Sequence, residues 1–204
     1  QAIQTMLDPA DTGPACLSLC QDVQGEIFDY PEEFFKERIH NIRRPKPDDF
    51  QIKQAMEKIK KSKKPIIISG GGVFYSDAMD ELGSFAIKHN IPVTQTVMGY
   101  STMKRDHSHF LGPIGGLGGK AANNLAKETD LAICVGTKLA DFTTGSWANF
   151  ENPEFKLVSI NIARHDANKH LAEAVIGDAK VCLSELSNSL GNWKSPDSWH
   201  KKSQ

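Results

Sequence analysis

The sequence predicts an α/β domain: a doubly wound, mostly parallel six-stranded sheet with helices on both faces. Short, continuously apolar segments such as 65–69 and 131–135 are typical of strands that are buried on both faces of a parallel sheet. Segments with helical periodicity alternate with them, and the connections are short. Strands and helices that alternate in this way form parallel sheets with right-handed crossovers. The predicted architecture is therefore Rossmann-like, of the type found in nucleotide-binding domains.

From Asp49 onward, each predicted element follows from its local pattern. Helices are assigned where apolar residues recur every three or four positions, and Ser76 suits the N-cap of the second helix because its hydroxyl can accept a hydrogen bond from the first turn. Strands are assigned to the apolar runs, and one of the six is not assigned to a particular segment. The elements in order are a helix with apolar residues at Ile52, Ala55, Met56 and Ile59, the strand 65–69, a helix 76–89, the strand 91–96, a glycine-rich loop 107–119, a helix 120–128, the strands 131–135, 156–162 and 175–176, and a helix 178–190.

The remaining residues differ in character from the segment 49–191, which we predict to be the folded domain. Residues 1–30 combine a turn-rich run with a short apolar segment, 15–20, that we predict to be a strand. A single strand is not stable without partners, so we expect 1–30 to belong to a neighbouring domain. Residues 31–48 are charged and end near two prolines, which predicts an interdomain linker. The last segment, 192–204, is expected to be a polar tail.

Composition and charge exclude several classes of function. The 204 residues carry a formal net charge of −1, which gives no electrostatic case for binding nucleic acid or an acidic membrane surface. No apolar stretch reaches membrane-spanning length, and the first residues lack a signal-peptide pattern. Cys16 and Cys20 would lie roughly 13 Å apart on a strand, too far for a disulfide. Together with Cys134 and Cys182 they are expected to be buried free thiols in a reducing cytoplasm.

Candidate ligand-binding residues follow the predicted strands, because ligands of such sheets bind outside the carboxyl ends of the strands. The run Gly70, Gly71, Gly72 separates a strand from a helix, where backbone amides could hold a phosphate. It lacks the G-x-G-x-x-G spacing and the lysine of a P-loop, and tight turns or close packing explain the glycines equally well. The candidate cofactor-binding residues, of a vestigial nucleotide site, are Gly70, Gly71, Gly72, Gly136 and Asp178.

No catalytic or metal-binding residue is assigned. His107 and His109 suggest a metal site, but no cysteine or carboxylate close in sequence completes one. The chain has no Gly-x-Ser-x-Gly elbow, and no cysteine has a nearby base. Asp141 and Asp178 each follow a strand, yet two separated carboxylates do not make a catalytic pair.

Several short motifs extend over nearly the whole chain in a fixed order. They are Gly13-Pro14, Leu17-Ser18-Leu19, Gln21-Asp22-Val23, the segment 65–72, Ile91-Pro92-Val93, Asp106-His107, Leu111-Gly112, Asp130-Leu131, Val135-Gly136-Thr137, Asp141 and Gly177-Asp178-Ala179-Lys180. Each is common by itself, but the ordered set resembles the thiamine-diphosphate-dependent, acetolactate-synthase-like enzyme family. The resemblance implies the family's central domain at 49–191, preceded by the C-terminal end of its pyrimidine-binding domain at 1–30.

Within that family, the strings 21–26, 43–45 and 141–145 look most like the branch that acts in myo-inositol catabolism. That branch opens a cyclic dione by hydrolytic cleavage of a carbon–carbon bond. The resemblance thus implies a largely structural domain of a cytoplasmic hydrolase. It also implies that the partners of the domain are the other domains of the same polypeptide, within a homodimer or homotetramer.

The resemblance places thiamine diphosphate and its magnesium ion in other domains. The family's activating glutamate lies upstream of the matched region, and a Gly-Asp-Gly motif of the third domain holds the diphosphate. The nearest string here, Gly177-Asp178-Ala179, lacks the second glycine. We therefore expect the 204 residues alone to bind no cofactor and to be inactive. FAD is not expected either, because Lys138 and Phe142 stand where flavin-binding members carry arginines, and phenylalanine cannot pair with a diphosphate.

Alternative interpretations remain open. One is an independent nucleotide-binding module for NAD or FAD. Another is the central domain of an acetolactate-synthase-type carboligase. A third, an interaction domain for subunit assembly, is compatible with a structural role in the hydrolase. The length of the reading frame that encodes the chain separates the independent module from a domain of a larger enzyme.

Overall fold

The structure is a computed structural model that describes residues 1–203. The chain divides into two compact units, Gln1–Arg43 and Arg44–Gln204. The strands of the second unit are β1 (Pro65–Ser69), β2 (Val93–Gln95), β3 (Phe110–Pro113), β4 (Leu131–Val135), β5 (Lys156–Asn161) and β6 (Glu173–Ile176). They form one six-stranded sheet in the order β3-β2-β1-β4-β5-β6, and every pairing is parallel. The predicted doubly wound parallel sheet is confirmed.

The helices lie between these strands and at both ends of the described chain. They are α1 (Ala2–Leu7), α2 (Asp49–Lys61), α3 (Gly71–Tyr75), α4 (Met79–His89), α5 (Lys120–Glu128), α6 (Asp141–Thr144), α7 (Arg164–Ala167), α8 (Ala179–Leu190) and α9 (Asp197–Ser203). Short 3-10 turns occur at Val23–Gly25, Glu32–Phe35, Val97–Gly99 and Lys169–Leu171. Across residues 1–203, no helix combines the length and apolar character that crossing a membrane requires.

The sheet has a hydrophobic core on each face, because successive side chains of its central strands point to opposite faces. In β1, Ile67 belongs to one core, and Ile66 and Ile68 belong to the other, as the two-residue period of a strand requires. Helices α2, α4 and α8 complete the first core, and α5 and α9 complete the second. All three isoleucines are fully buried, and each such side chain contributes about 1.5–3 kcal/mol relative to exposure. The apolar run of β1 therefore requires helices on both faces of the sheet to bury it.

The strand that the sequence did not locate is β3, inside the segment expected to be a glycine-rich loop. It lies at the edge of the sheet and pairs with β2 alone, and its residues are half-buried or exposed. An edge strand has no need of the continuous apolar run that marks the central strands. Gly112, with a φ of +91°, and a register shift against β2 interrupt its pattern further.

The predicted helix 76–89 begins three residues late, as α4, because a separate short helix, α3, ends at Ser76; Ser76 is therefore not an N-cap. Ser76 instead ends α3, and its hydroxyl accepts a hydrogen bond from the backbone N–H of Ala179, at 3.3 Å. Asp77 then adopts a positive φ of 53°, which breaks the helical path. Helix α4 begins only at Met79, and no side chain caps its amino end. A tertiary contact has replaced the local capping bond that the sequence suggested.

The first unit also differs from its prediction. Residues 15–20, predicted to be a strand, have no regular secondary structure, and they follow the unpredicted helix α1. No strand of the described residues pairs with this segment, and an extended segment without partners does not form a stable strand. Cys16 and Cys20 are consequently exposed, so their predicted burial is wrong, whereas Cys134 and Cys182 are buried as predicted.

The end of the second unit, within 192–204, is polar in composition but carries helix α9. Trp199 of this helix is 3% exposed and donates its Nε1–H to the backbone oxygen of Pro65, at 2.8 Å. The backbone N–H of Ser195 donates to the oxygen of His89, at 2.9 Å. These bonds hold the segment along the edge where the strands begin, opposite the candidate ligand-binding loops. Gln204 lies outside the described residues.

Candidate functional site at the carboxyl edge of the sheet

All strands run in the same direction, but the side on which successive strands are added to the sheet reverses between β1 and β4, where the strand order changes from 3-2-1 to 4-5-6. In doubly wound sheets, ligands bind in the crevice outside the carboxyl ends of the strands at this point. Gly70, Gly71 and Gly72 follow β1, and Gly136 follows β4. The structure therefore brings four of the five candidate residues to the switch point.

At the switch point, the two loops pack directly against each other. The Gly72 N–H donates to the oxygen of Gly136 at 3.0 Å, and the Gly70 N–H donates to the oxygen of Val135 at 2.8 Å. A Cβ on Gly70 would lie 2.4 Å from the Gly136 oxygen, and one on Gly72 would lie 2.6 Å from the Gly136 Cα. Gly136 has a φ of +60°. The glycines are thus required for close backbone packing, and two of the three amides of the run are already bonded within the protein.

The loop after β2 packs against the same glycine run from the other side. The Thr96 N–H donates to the oxygen of Ser69 at 2.9 Å, and the Thr96 hydroxyl accepts a hydrogen bond from the N–H of Gly99 at 3.0 Å. A Cβ on Gly99 would lie 2.2 Å from the Ser69 oxygen. Both neighbouring loops therefore hold the segment after β1 in one position.

Asp178, the fifth candidate, is engaged in structural bonds. Its side chain is 3% exposed and caps helix α8, where Oδ1 accepts hydrogen bonds from the N–H groups of Lys180 and Val181, at 3.0 and 3.3 Å. Its Oδ2 lies 3.0 Å from Nη1 of Arg44, and the same guanidinium donates to the backbone oxygen of Ser76. Asp178 therefore joins the start of α8 to Arg44, and its carboxylate is not free to bind a ligand.

The loops after β3 and β4 meet through another glycine. The Gly116 N–H donates to the oxygen of Phe142 at 2.8 Å, and a Cβ on Gly115 would lie 2.0 Å from that oxygen. Asn123 of α5 bonds both backbone groups of Gly115, at 2.9 and 3.0 Å. The backbone of Phe142 is thus fixed, whereas its side chain is 67% exposed.

Large apolar side chains project from the loops and short helices at this edge, a feature that the sequence patterns did not predict. We call them the apolar rim: Phe74, Tyr75, Val97, Met98, Tyr100, Leu117 and Phe142, all more than half exposed. Each of these residues lies in a segment that follows the carboxyl end of a strand. The available signal was the presence of large apolar residues in the short segments that follow the strands.

The histidines that suggested a metal site lie at the opposite edge of the sheet, before β3. The ring centroids of His107 and His109 are 5.8 Å apart, and His109 stacks on His200 of α9 at 4.1 Å. Burial, together with smaller contributions from the nearby His200 and His107, lowers the pKa of His109 to about 4. Residues 1–203 contain no group of three or more His, Cys, Asp or Glu side chains arranged to hold a metal ion.

The buried thiols are not nucleophiles. Burial raises the pKa of Cys134, and burial together with the carboxylates of Asp178 and Glu185 raises the pKa of Cys182 to about 12. Because the thiolate is the reactive form, both cysteines are inert near neutral pH.

Comparison with known protein families decides what kind of domain this is. Residues 52–186, more than half of the chain, match the family described as thiamine pyrophosphate enzyme, central domain. The chain belongs to this family.

Relatives of this thiamine pyrophosphate enzyme domain are much longer proteins. It is 48% identical over 189 residues to a 3D-(3,5/4)-trihydroxycyclohexane-1,2-dione hydrolase of Clostridium perfringens, across 93% of this chain and 30% of the relative. The hydrolase of the same name from Clostridium tetani is 48% identical over 189 residues, across 93% and 29%. One from Bacillus cereus is 46% identical over 190 residues, across 93% and 30%. The chain spans about 30% of the length of these relatives.

A solved structure shares the fold of the thiamine pyrophosphate enzyme domain. It comes from a Mycobacterium smegmatis protein assigned to the thiamin diphosphate-dependent enzymes. The TM-score is 0.61 at 22% identity, and the match covers 76% of this chain and 30% of that one. At this identity the similarity supports the α/β fold itself.

Asp178, the acidic residue among the candidates, offers no free oxygen to a magnesium ion. Magnesium needs free oxygen ligands, and the carboxylate of Asp178 already bonds Arg44 and the first turn of α8. Lys138 and Phe142, which stand where flavin-binding members of the family carry arginines, are no better placed to bind a diphosphate. Lys138 Nζ lies 3.9 Å from Asp166 Oδ2, and Phe142 contributes an exposed ring.

Proposed function

We propose that this chain is the central, largely structural domain of a hydrolase that opens 3D-(3,5/4)-trihydroxycyclohexane-1,2-dione. The observation that carries the proposal is the identity of 46–48% to hydrolases of that name across 93% of the chain. The family match alone covers 52–186, so the identity extends beyond the part common to the whole family. Segments before the sheet are thus shared with this branch.

The proposed reaction is hydrolysis of the carbon–carbon bond between two adjacent carbonyl groups. Water supplies the oxygen that turns one carbonyl carbon into a carboxylic acid, and a proton turns the other into an aldehyde. Thiamine diphosphate supplies a nucleophilic carbon for such chemistry. We propose that it is bound, with magnesium, by parts of the polypeptide outside these 204 residues, in a cytoplasmic homodimer or homotetramer.

A structural role for this domain is supported by what its polar groups already do. The Gly70 and Gly72 amides bond backbone oxygens of β4 and its loop, and Asp178 caps α8 while pairing with Arg44. The apolar rim offers contact area to a protein surface rather than charge to a phosphate. The domain would then hold the catalytic parts of the polypeptide in position.

The test is an assay of the whole polypeptide, expressed from the complete reading frame, with thiamine diphosphate and magnesium. We expect the cyclic dione to be converted to an open-chain acid whose carboxylate carries at least one ¹⁸O atom when the reaction runs in H₂¹⁸O. Conversion of pyruvate to acetolactate, with no action on the dione, would instead identify a carboligase. Inactivity on the dione with saturating cofactor would contradict the proposal.

An independent nucleotide-binding module is the second candidate, and the switch-point position of Gly70–Gly72 and Gly136 is the observation that favours it. Calorimetric titration of the 204-residue chain with ADP, NAD and FAD separates the two. A structural domain gives no saturable heat with any of them. Micromolar binding of one, abolished by Gly71→Val, would support the module.

A further inference from the structure

A pocket of about 620 Å³ lies along β2 and the edge strand β3. Gln95 at the end of β2, Tyr100 and Arg105 in the following loop, and Phe110 and Leu111 of β3 line it. It is therefore displaced from the crevice between β1 and β4. Its volume suits a small molecule and lies near the middle of the range for ligand pockets in general.

Gln95 has a buried polar group without a partner. The residue is 6% exposed, and its Oε1 accepts no hydrogen bond from residues 1–203. Buried polar atoms are nearly always bonded, and one that is not needs an explanation such as a ligand. Because the amide can turn to present either oxygen or nitrogen, a hydroxyl group, which both donates and accepts, satisfies it in either orientation.

Arg105 supplies the charge at this pocket. No acidic side chain within the described part of the chain forms an ion pair with its guanidinium. Nη2 of Arg105 donates to the hydroxyl oxygen of Tyr100 at 3.4 Å, which orients the guanidinium beside the pocket. Arg105 is also the one cationic residue in the lining. A single cation balances a single negative charge, and the guanidinium fork matches a carboxylate.

From these observations we propose that the pocket binds a small hydroxylated carboxylate. The carboxylate pairs with Arg105 and the Tyr100 hydroxyl, a hydroxyl group bonds the Gln95 amide, and the carbon chain lies against Phe110 and Leu111. The site does not depend on the proposed function, since it uses neither thiamine diphosphate nor the cyclic dione.

The experiment is an NMR titration of the ¹⁵N-labelled 204-residue chain with sodium D-gluconate at constant ionic strength. D-Sorbitol, which has the hydroxyl groups without the carboxylate, is titrated in parallel. The variant Arg105→Gln removes the charge from an exposed side chain, so the fold should be unaffected. Lys104→Gln is the matched control, because it removes an adjacent exposed charge that does not line the pocket.

We expect gluconate to produce saturable shifts at the Gln95 side-chain amide and the backbone N–H of Gly112. Arg105→Gln should weaken binding about tenfold, as loss of one charge-assisted bond does, and Lys104→Gln should leave it unchanged. Shifts that do not saturate, equal affinity in Arg105→Gln, or equal response to sorbitol would overturn the proposal. So would an absence of shifts, which would leave water as the partner of Gln95.

Discussion

Arg44 and Asp178, separated by more than 130 residues in the sequence, form an ion pair with 3.0 Å between Nη1 and Oδ2. The pair joins the segment before α2 to the first turn of α8. The backbone supports it, because the Asp178 N–H donates to the oxygen of Pro45 at 2.9 Å. A residue that sequence motifs suggested for ligand binding is therefore an anchor of the fold.

Replacing Asp178 with alanine should lower the free energy of unfolding by about 2–3 kcal/mol. The variant loses an N-cap and leaves Arg44 without its partner; the second effect is reduced because that side chain is 35% exposed. Urea denaturation followed by tryptophan fluorescence measures it. Asp141→Ala, an exposed carboxylate in the first turn of a short helix, is the control and should change stability by less than about 0.5 kcal/mol. Equal effects would show that the pair contributes nothing.

Replacing Gly136 with alanine should destabilise the domain by about 2–4 kcal/mol, because the new Cβ would lie 2.5 Å from the Gly72 Cα and the backbone φ is +60°. The matched control is Gly116→Ala, whose Cβ would meet its nearest neighbour at 3.8 Å. Thermal unfolding of both variants gives the comparison. If Gly136→Ala is as stable as the control, the loops are not packed as described.

Stability should fall as the pH is lowered from about 6.5 toward 4. The pKa of His109 is depressed to about 4 in the folded state, so the unfolded chain takes up the proton first. The free energy of unfolding is therefore undiminished by His109 above the pKa of the unfolded chain. It falls as the pH drops through this window, by at most about 3 kcal/mol. His89, whose pKa burial also lowers, acts in the same direction.

Chemical denaturation at a series of pH values, with His109→Gln beside the unmodified chain, measures this dependence. The variant should show a shallower loss of stability on acidification. His165→Gln, at an exposed histidine, should retain the original slope. A slope that is identical in all three proteins would contradict the account of His109.

The purified chain should carry no flavin. Lys138 is 76% exposed and near Asp166, and Phe142 offers no charge, so a diphosphate would lack two charge-assisted contacts worth about 1.5–3 kcal/mol each. Absorbance of the denatured supernatant measures bound flavin. A yellow preparation that releases close to one flavin per chain would contradict this prediction and favour the flavin-containing synthases.

Sequence patterns predicted the central part of the fold because β1 and β4 are buried on both faces and leave an unambiguous apolar signal. The edge strand β3 was missed because it is half exposed. The strand predicted at 15–20 was wrong, since β-pairing requires a partner that local sequence does not reveal. Ser76 was misassigned because its hydroxyl bonds Ala179, about a hundred residues away.

The sequence predicted where the candidate site lies, but not how its side chains are bonded. Strand order brought Gly70–Gly72 and Gly136 together, as the topology rule for doubly wound sheets anticipates. The engagement of Asp178 by Arg44 and the unpartnered Gln95 depend on tertiary packing, which no local pattern encodes. The interpretation of these glycines as a vestigial nucleotide site stays a prediction.

The most direct test of the central claim is a chimera. The corresponding segment of the Clostridium perfringens hydrolase, 48% identical over 189 residues, is replaced by this chain, and ring opening of the cyclic dione is measured with thiamine diphosphate and magnesium. If this chain is the central domain of such a hydrolase, the chimera should assemble like the parent enzyme and keep its activity within about tenfold, a loss of no more than about 1.4 kcal/mol in transition-state stabilisation. A chimera that assembles and binds the cofactor but does not open the dione, or one that cannot assemble at all, would contradict the assignment.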